Sequence, residues 1–261
     1  MNFFFGIKQD NITSSITIPK FQNSSDQHNE YKIYKATIDN EKWSVKKLNC
    51  YSDKNFYLIE KELINNEDFF FLSKESDIDQ KIKTNLLKMV QPNIFTSTHP
   101  AYRASLEITY KDEGFSSYQS EYPYVMIGKK SNILSPLGTL LNYKAEKNYL
   151  IFRNINNEPI YEKFNLHIID IDRVEILKTV EIFTNKSNII PIDNEFINHS
   201  TYIFSDSIIG IPMFLSINNG HLSFEHTHPP YHYILGEKNF ELATKLKNRI
   251  YDKIFKKNSS N

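Results

Sequence analysis

Three histidines, His226, His228 and His232, crowd into one short segment of a chain that holds eight histidines in 261 residues. The segment runs Leu-Ser-Phe-Glu-His-Thr-His-Pro-Pro-Tyr-His from residue 222 to 232. In an extended strand, side chains two apart point the same way, so Leu222, Phe224, His226 and His228 share a face. If Leu222 and Phe224 turn to a core, both imidazoles enter the interior at the end of that strand. Two histidines at i and i+2 can hold one divalent transition metal ion, each ring's second nitrogen being fixed by a further partner. His232, returning after the stiff Pro229-Pro230 pair, is placed to assist as a third ligand or an acid–base group. Without a metal the same imidazoles suit proton transfer near neutral pH. A pair of structural histidines beside a Pro-Pro turn is the alternative.

A second segment, residues 114–124, reads Gly-Phe-Ser-Ser-Tyr-Gln-Ser-Glu-Tyr-Pro-Tyr and carries little charge. As one extended strand it sets Tyr118, Tyr122 and Tyr124 on one face, with Gln119 and Glu121 on the other. Tyrosine rings can stack on sugars while a neighbouring amide reads hydroxyls, and Glu121 could serve as an acid. Half-buried tyrosines on an edge strand would give the same pattern. Only four arginines occur in the chain, two of them in suggestive places. Arg103 follows His99 just before a strong strand, and Arg153 ends another. A guanidinium there could clamp an anionic substrate group, or could simply join a structural ion pair. Cys50 has no histidine beside it in sequence and gives no reason to be read as a nucleophile.

Gly220 is followed after five residues by His226-x-His228, a spacing that resembles the first motif of the cupin family. The resemblance implies a metal-holding strand with those two histidines as ligands. It stops there: His232 stands where that motif has Glu, the later glycine spacing differs, and the region downstream reads as a helix.

The elements that must position these groups are mostly strands. Residues 103–110 alternate apolar Ala104, Leu106, Ile108 and Tyr110 with Arg103, Ser105, Glu107 and Thr109, which gives one dry and one wet face. Further strand patterns lie at 16–18, 31–38, 43–48, 68–72, 149–152, 164–171, 174–183, 202–204 and 213–217. A turn is expected at Asp39-Asn40, and Asn218-Asn219-Gly220 predicts a hairpin joining 213–217 to 222–226. Between 77 and 89, Ile78, Ile82, Leu86 and Leu87 would suit a helix. From Glu237 onward Phe240, Ala243, Leu246, Ile250 and Ile254 recur at helical spacing and predict a terminal helix with one apolar stripe.

Lys+Arg and Asp+Glu each total 31, so no basic excess draws the chain to nucleic acid. Glycine is scarce, and no phosphate-cradling loop or dinucleotide fingerprint is present, which argues against a nucleotide cofactor. One cysteine rules out an internal disulfide framework. The longest apolar run, 208–217, is about half of the roughly 20 residues a spanning helix needs, and the N-terminal run is too short for a signal peptide. The expectation is therefore a cytoplasmic protein with no membrane partner.

These readings predict a mainly β fold, a sandwich or distorted barrel with the C-terminal amphipathic helix packed on one side. The chain reads as one domain, with a subdivision into 1–95 and 96–261 as a variant; α+β with a small N-terminal subdomain is the alternative. The expected function is an enzyme acting on a small polar substrate, such as a sugar derivative, through a histidine-centred and optionally metal-assisted site. In that site His226 and His228 hold the metal, and Glu121, His232, Arg103 and Arg153 act in catalysis. Tyr118, Gln119, Tyr122 and His99 would bind the substrate. A non-catalytic β-module binding carbohydrate or protein through the tyrosine face is the competing expectation.

Overall fold

The computed structural model describes residues 2–20, 31–75, 78, 104–123, 126–128, 132–205, 207–226 and 237–256. The 77–89 helix pattern lies outside them apart from Ile78, as do His99, Arg103, Tyr124, His228 and His232.

Among the described residues the chain forms four small antiparallel sheets in a propeller-like arrangement. Sheet I orders β10 (Glu121–Pro123), β1 (Asn2–Phe4), β7 (Phe69–Lys74), β3 (Tyr31–Asp39) and β4 (Lys42–Lys47). Sheet II orders β5 (Tyr51–Ser52), β6 (Phe56–Ile59), β2 (Ile12–Pro19), β8 (Ser105–Tyr110) and β9 (Gly114–Gln119). Sheet III orders β11 (Ile133–Pro136), β16 (Thr201–Ser205), β13 (Lys163–Asp170) and β14 (Glu175–Phe183). Sheet IV orders β15 (Ser187–Pro191), β12 (Lys147–Arg153), β17 (Ile211–Asn218) and β18 (His221–His226).

The fold is thus mainly β, as the strand patterns require. The sandwich or distorted barrel is not confirmed, because the strands divide among four sheets and not two faces of one core. The physical reason is strand length: strands of two to nine residues make small sheets, and each needs neighbours to cover it. A division at residue 95 would cut through both N-terminal sheets, since β1 pairs with β10 and β2 with β8.

The inner strands of sheet IV, β12 and β17, are dry on both faces. Ile151, Met213, Leu215 and Ile217 join a core shared with sheets I and II, while their neighbours Leu150, Phe152 and Phe214 join one shared with sheet III. That double burial explains why β17 reads as an apolar run, interrupted only by Ser216 before Asn218 ends it, and not as an alternation. The far side of sheet III receives the helix α1 (Glu237–Tyr251), which continues as a wider turn over Asp252–Lys256. Ile250 and Ile254 are buried there with Ile169 and Phe204, and Phe255 stacks on Phe204 with centroids 5.4 Å apart. Leu246, expected in the buried stripe, is instead half exposed, so the docking described here is made by the last turns. No described helix is long and apolar enough to cross a membrane.

Candidate functional site

The site is built where β9 and β18, edge strands of different sheets, lie against one another. The β17–β18 connection is a two-residue turn with Asn219 and Gly220 at φ of 49° and 78°, and Asn218 pairs with His221 across it. Both central residues are left-handed, the geometry of a tight hairpin, so the Asn-Gly pair sets the register of β18. That register leaves His221, Ser223 and Glu225 exposed and turns Leu222, Phe224 and His226 inward, as the alternation predicts. The two strands can approach because Gly114 lacks a side chain: a Cβ there would collide with the Gly220 carbonyl oxygen and with Leu222 Cδ1.

The approach carries Tyr118 to His226. Their rings meet edge to face with centroids 3.9 Å apart, and Phe224 lies 6.4 Å from the same tyrosine ring. Tyr118 and Gln119 line an open hollow of about 290 Å³, completed by Ala104, Ser105 and Ser117. Burial, with a smaller push from Glu225, holds the Tyr118 hydroxyl above the usual tyrosine range. At neutral pH it is therefore a hydrogen-bond donor and not a phenolate nucleophile.

Other residues selected from sequence go elsewhere. The stretch from 114 to 124 does not continue as one strand. It leaves sheet II at Ser120, whose N–H donates to the Ala104 carbonyl (3.1 Å) and whose Oγ donates to the Phe5 carbonyl (2.7 Å), and enters sheet I as β10. Tyr118 and Tyr122 consequently belong to different sheets, and Tyr122 is wholly buried, so the expected tyrosine face does not form between them. Glu121 is buried too; its Oε1 accepts the Ala104 N–H at 2.9 Å, directly behind the wall of the hollow. That geometry makes it a support for the wall.

Arg153 is fully buried at the end of β12. Its Nη1 donates to the Asn66 carbonyl (2.7 Å) and, at longer range, to Ser187 Oγ (3.4 Å). The guanidinium sits over the rings of Phe5 (5.6 Å) and Phe69 (5.9 Å), and desolvation pulls its pKa down to about 10. Arg153 joins sheet IV to sheet I and does not line the hollow. Burial likewise raises the Cys50 thiol, which keeps it protonated.

No group of three or more His, Cys, Asp or Glu side chains gathers among the described residues, and His228 and His232 lie outside them. A second cavity of about 290 Å³ opens beside the 154–162 loop and contains none of the residues chosen from sequence. Its walls are rich in asparagine, which carries no signal in so asparagine-rich a chain. Comparison with known protein families, characterised proteins and solved structures returned no match to this chain.

Proposed function

We propose that the chain acts on a small polar substrate, a sugar derivative being the best chemical fit, at the hollow that β8 and β9 line, beside the contact of β9 with β18. The observation that carries this reading is the contact of Tyr118 with His226 at a hollow that Tyr118 and Gln119 line. Tyr118 offers a ring edge and a neutral hydroxyl, and Gln119 an amide that both donates and accepts. His226 supplies the proton-transfer group, or joins His228 in holding a divalent transition metal that would polarise a substrate oxygen. Glu121 acts through the wall by fixing Ala104. The competing reading, a non-catalytic module with a broad aromatic platform, is weaker because Tyr122 lies in the core.

The test combines elemental analysis with titration of simple sugars and sugar phosphates, followed by the amide resonances of residues 104–119 and 224–226. Shifts at those amides are expected, weakened about fivefold in Tyr118→Phe, the loss of one hydrogen bond. Metal near one equivalent in wild type, lost in both His226→Ala and His228→Ala, selects the metal-assisted form. If no sugar moves those amides and no metal is taken up, the reading fails.

A further inference from the structure

The outer face of sheet II carries an ordered set of polar groups. Ile16 and Ile18 of β2 and Leu106 and Ile108 of β8 turn into the core, so the residues that alternate with them turn outward. Pairing then aligns the outward side chains of β2, β8 and β9 in three rows. Thr17 stands opposite Ser105, and Ser105 opposite Gln119. Ser15, Glu107 and Ser117 form the next row, and Thr13, Thr109 and Phe115 the third. Every one of these side chains is at least partly exposed.

The rows hold hydroxyls, one amide, one carboxylate and one aromatic ring, and no lysine or arginine stands among them. Cross-strand bonds orient part of the set: the Oγ1 atoms of Thr13 and Thr109 lie 2.8 Å apart, and Ser15 Oγ donates to Glu107 Oε2 at 3.3 Å. A hydroxyl has one proton and two lone pairs, so a bond to its neighbour leaves capacity for a second partner. Phe115 ends the third row and is 61% exposed. Hydroxyls beside an open aromatic ring suit a sugar, whose rim is polar and whose ring faces are apolar.

This face is continuous with the hollow at Tyr118, because Ser105, Ser117 and Gln119 belong to both. Gln119 and Phe115 are four residues apart on β9, about 14 Å, and β2 lies two strands from β9, about 10 Å. A single sugar ring in the hollow cannot reach Phe115, whereas a chain can.

We propose that the substrate of the hollow is an extended oligosaccharide, one unit entering the hollow while the next lie across the outer face of β9, β8 and β2. The inference rests on the reading of the hollow as a sugar site and names its substrate class. A chain of equatorially linked glucose units keeps its rings in a ribbon that lies along a sheet face, whereas an axially linked chain coils away from it. An anionic polymer would meet Glu107 with no cation in the rows. A protein partner would want an apolar centre, which the rows lack.

The experiment is an amide-resonance titration with glucose, cellotetraose and maltotetraose. Cellotetraose is expected to shift residues 13–17 together with 105–119 and to bind about tenfold tighter than glucose, whose shifts stay at 104–106 and 117–119. Phe115→Ala should weaken cellotetraose about tenfold, the loss of a stacking ring, and Thr109→Ala about fivefold, the loss of one hydrogen bond. Cellotetraose binding no tighter than glucose, with residues 13–17 unmoved, would overturn the chain and leave the sugar reading of the hollow standing. Shifts at 13–17 and 107–109 with none at Tyr118 and Gln119 would instead overturn the hollow as the sugar site and, with it, the joined site. Maltotetraose binding as tightly as cellotetraose would overturn the extended ligand. Both variants binding cellotetraose as wild type would overturn the face.

Discussion

Asp170 illustrates how a surface turn is fixed by one carboxylate. Oδ1 accepts the backbone N–H groups of Arg173 (3.0 Å) and Asp172 (2.9 Å), and Oδ2 accepts the Ser200 hydroxyl (3.0 Å). The Arg173 N–H leads, with help from Ser200, Asp172 and the Arg173 charge, in holding this carboxyl below the usual aspartate value of 3.8. A depressed acid contributes stability that is present above its unfolded value and lost as pH falls through the folded one. Asp170→Asn should therefore be less stable than wild type by about 1 kcal/mol at neutral pH. The gap should narrow as pH drops below the ordinary aspartate value, and paired urea titrations at pH 7 and pH 3 would show it. A gap unchanged in acid would mean that the charge on Asp170 contributes nothing. Arg153 shows the opposite situation, an interior cation whose depressed pKa reflects desolvation, only partly offset by Tyr122 and Asp68. Neither role was legible in the sequence. An arginine or an aspartate at a strand end looks the same whether it meets substrate, solvent or a backbone carbonyl, and only burial separates these fates.

At the scale of elements, the two glycines at the β9–β18 junction do different work. Gly220 takes positive φ, and a Cβ placed on it would meet nothing within 4 Å, so Gly220→Ala should cost only the left-handed backbone penalty, about 1–2 kcal/mol. Gly114 has no positive φ but faces a backbone carbonyl of the hairpin, which cannot yield without moving β18. Gly114→Ala is expected to cost more, about 3 kcal/mol, and to disturb the His226 and Tyr118 resonances together. Thermal melts and amide spectra of the two variants check this; equal costs with unperturbed site resonances would refute the close-approach role. The hairpin itself was legible, because Asn-Gly between two strand patterns specifies its turn locally. So was the inward set Leu222, Phe224 and His226, since alternation follows from the pleat. The break of the 114–124 stretch at Ser120 was not legible. Its cause is a set of hydrogen bonds to Phe5 and Ala104, residues distant in sequence.

For the molecule as a whole, stability rests on layers that share one sheet. Sheet IV serves a core on each face, and sheet III is covered in turn by the end of the helix through Ile250, Ile254, Tyr251 and Phe255. Tyr251 and Phe255 stack with centroids 5.3 Å apart, and Phe255 also meets His167 at 5.1 Å. Removing this contact uncovers Ile169 and Phe204, so Phe255→Ala should cost about 2 kcal/mol, less than a fully buried phenylalanine. A chain ending at residue 236 should bind a hydrophobic dye and melt earlier. An unchanged melting temperature in both would show that the helix adds nothing to the fold. The helix was read correctly as an element from its periodicity, but not in which residues bury. A stripe at helical spacing names a face, whereas the docking angle and the wider final turn decide how much of that face meets the sheet.

What the sequence determined by itself is local: the strand periodicities, the Asn-Gly hairpin, the inward turn of His226, the terminal helix and the absence of any net charge. The charge balance is a sum over composition, and each of the others follows from interactions between residues near one another in the chain, where spacing alone carries the physics. Only the tertiary structure decided that the 114–119 and 221–226 segments meet, and that Tyr122, Glu121 and Arg153 withdraw from the hollow. Those outcomes depend on which sheet edge faces which, and such long-range packing leaves no periodic mark in the order of the residues.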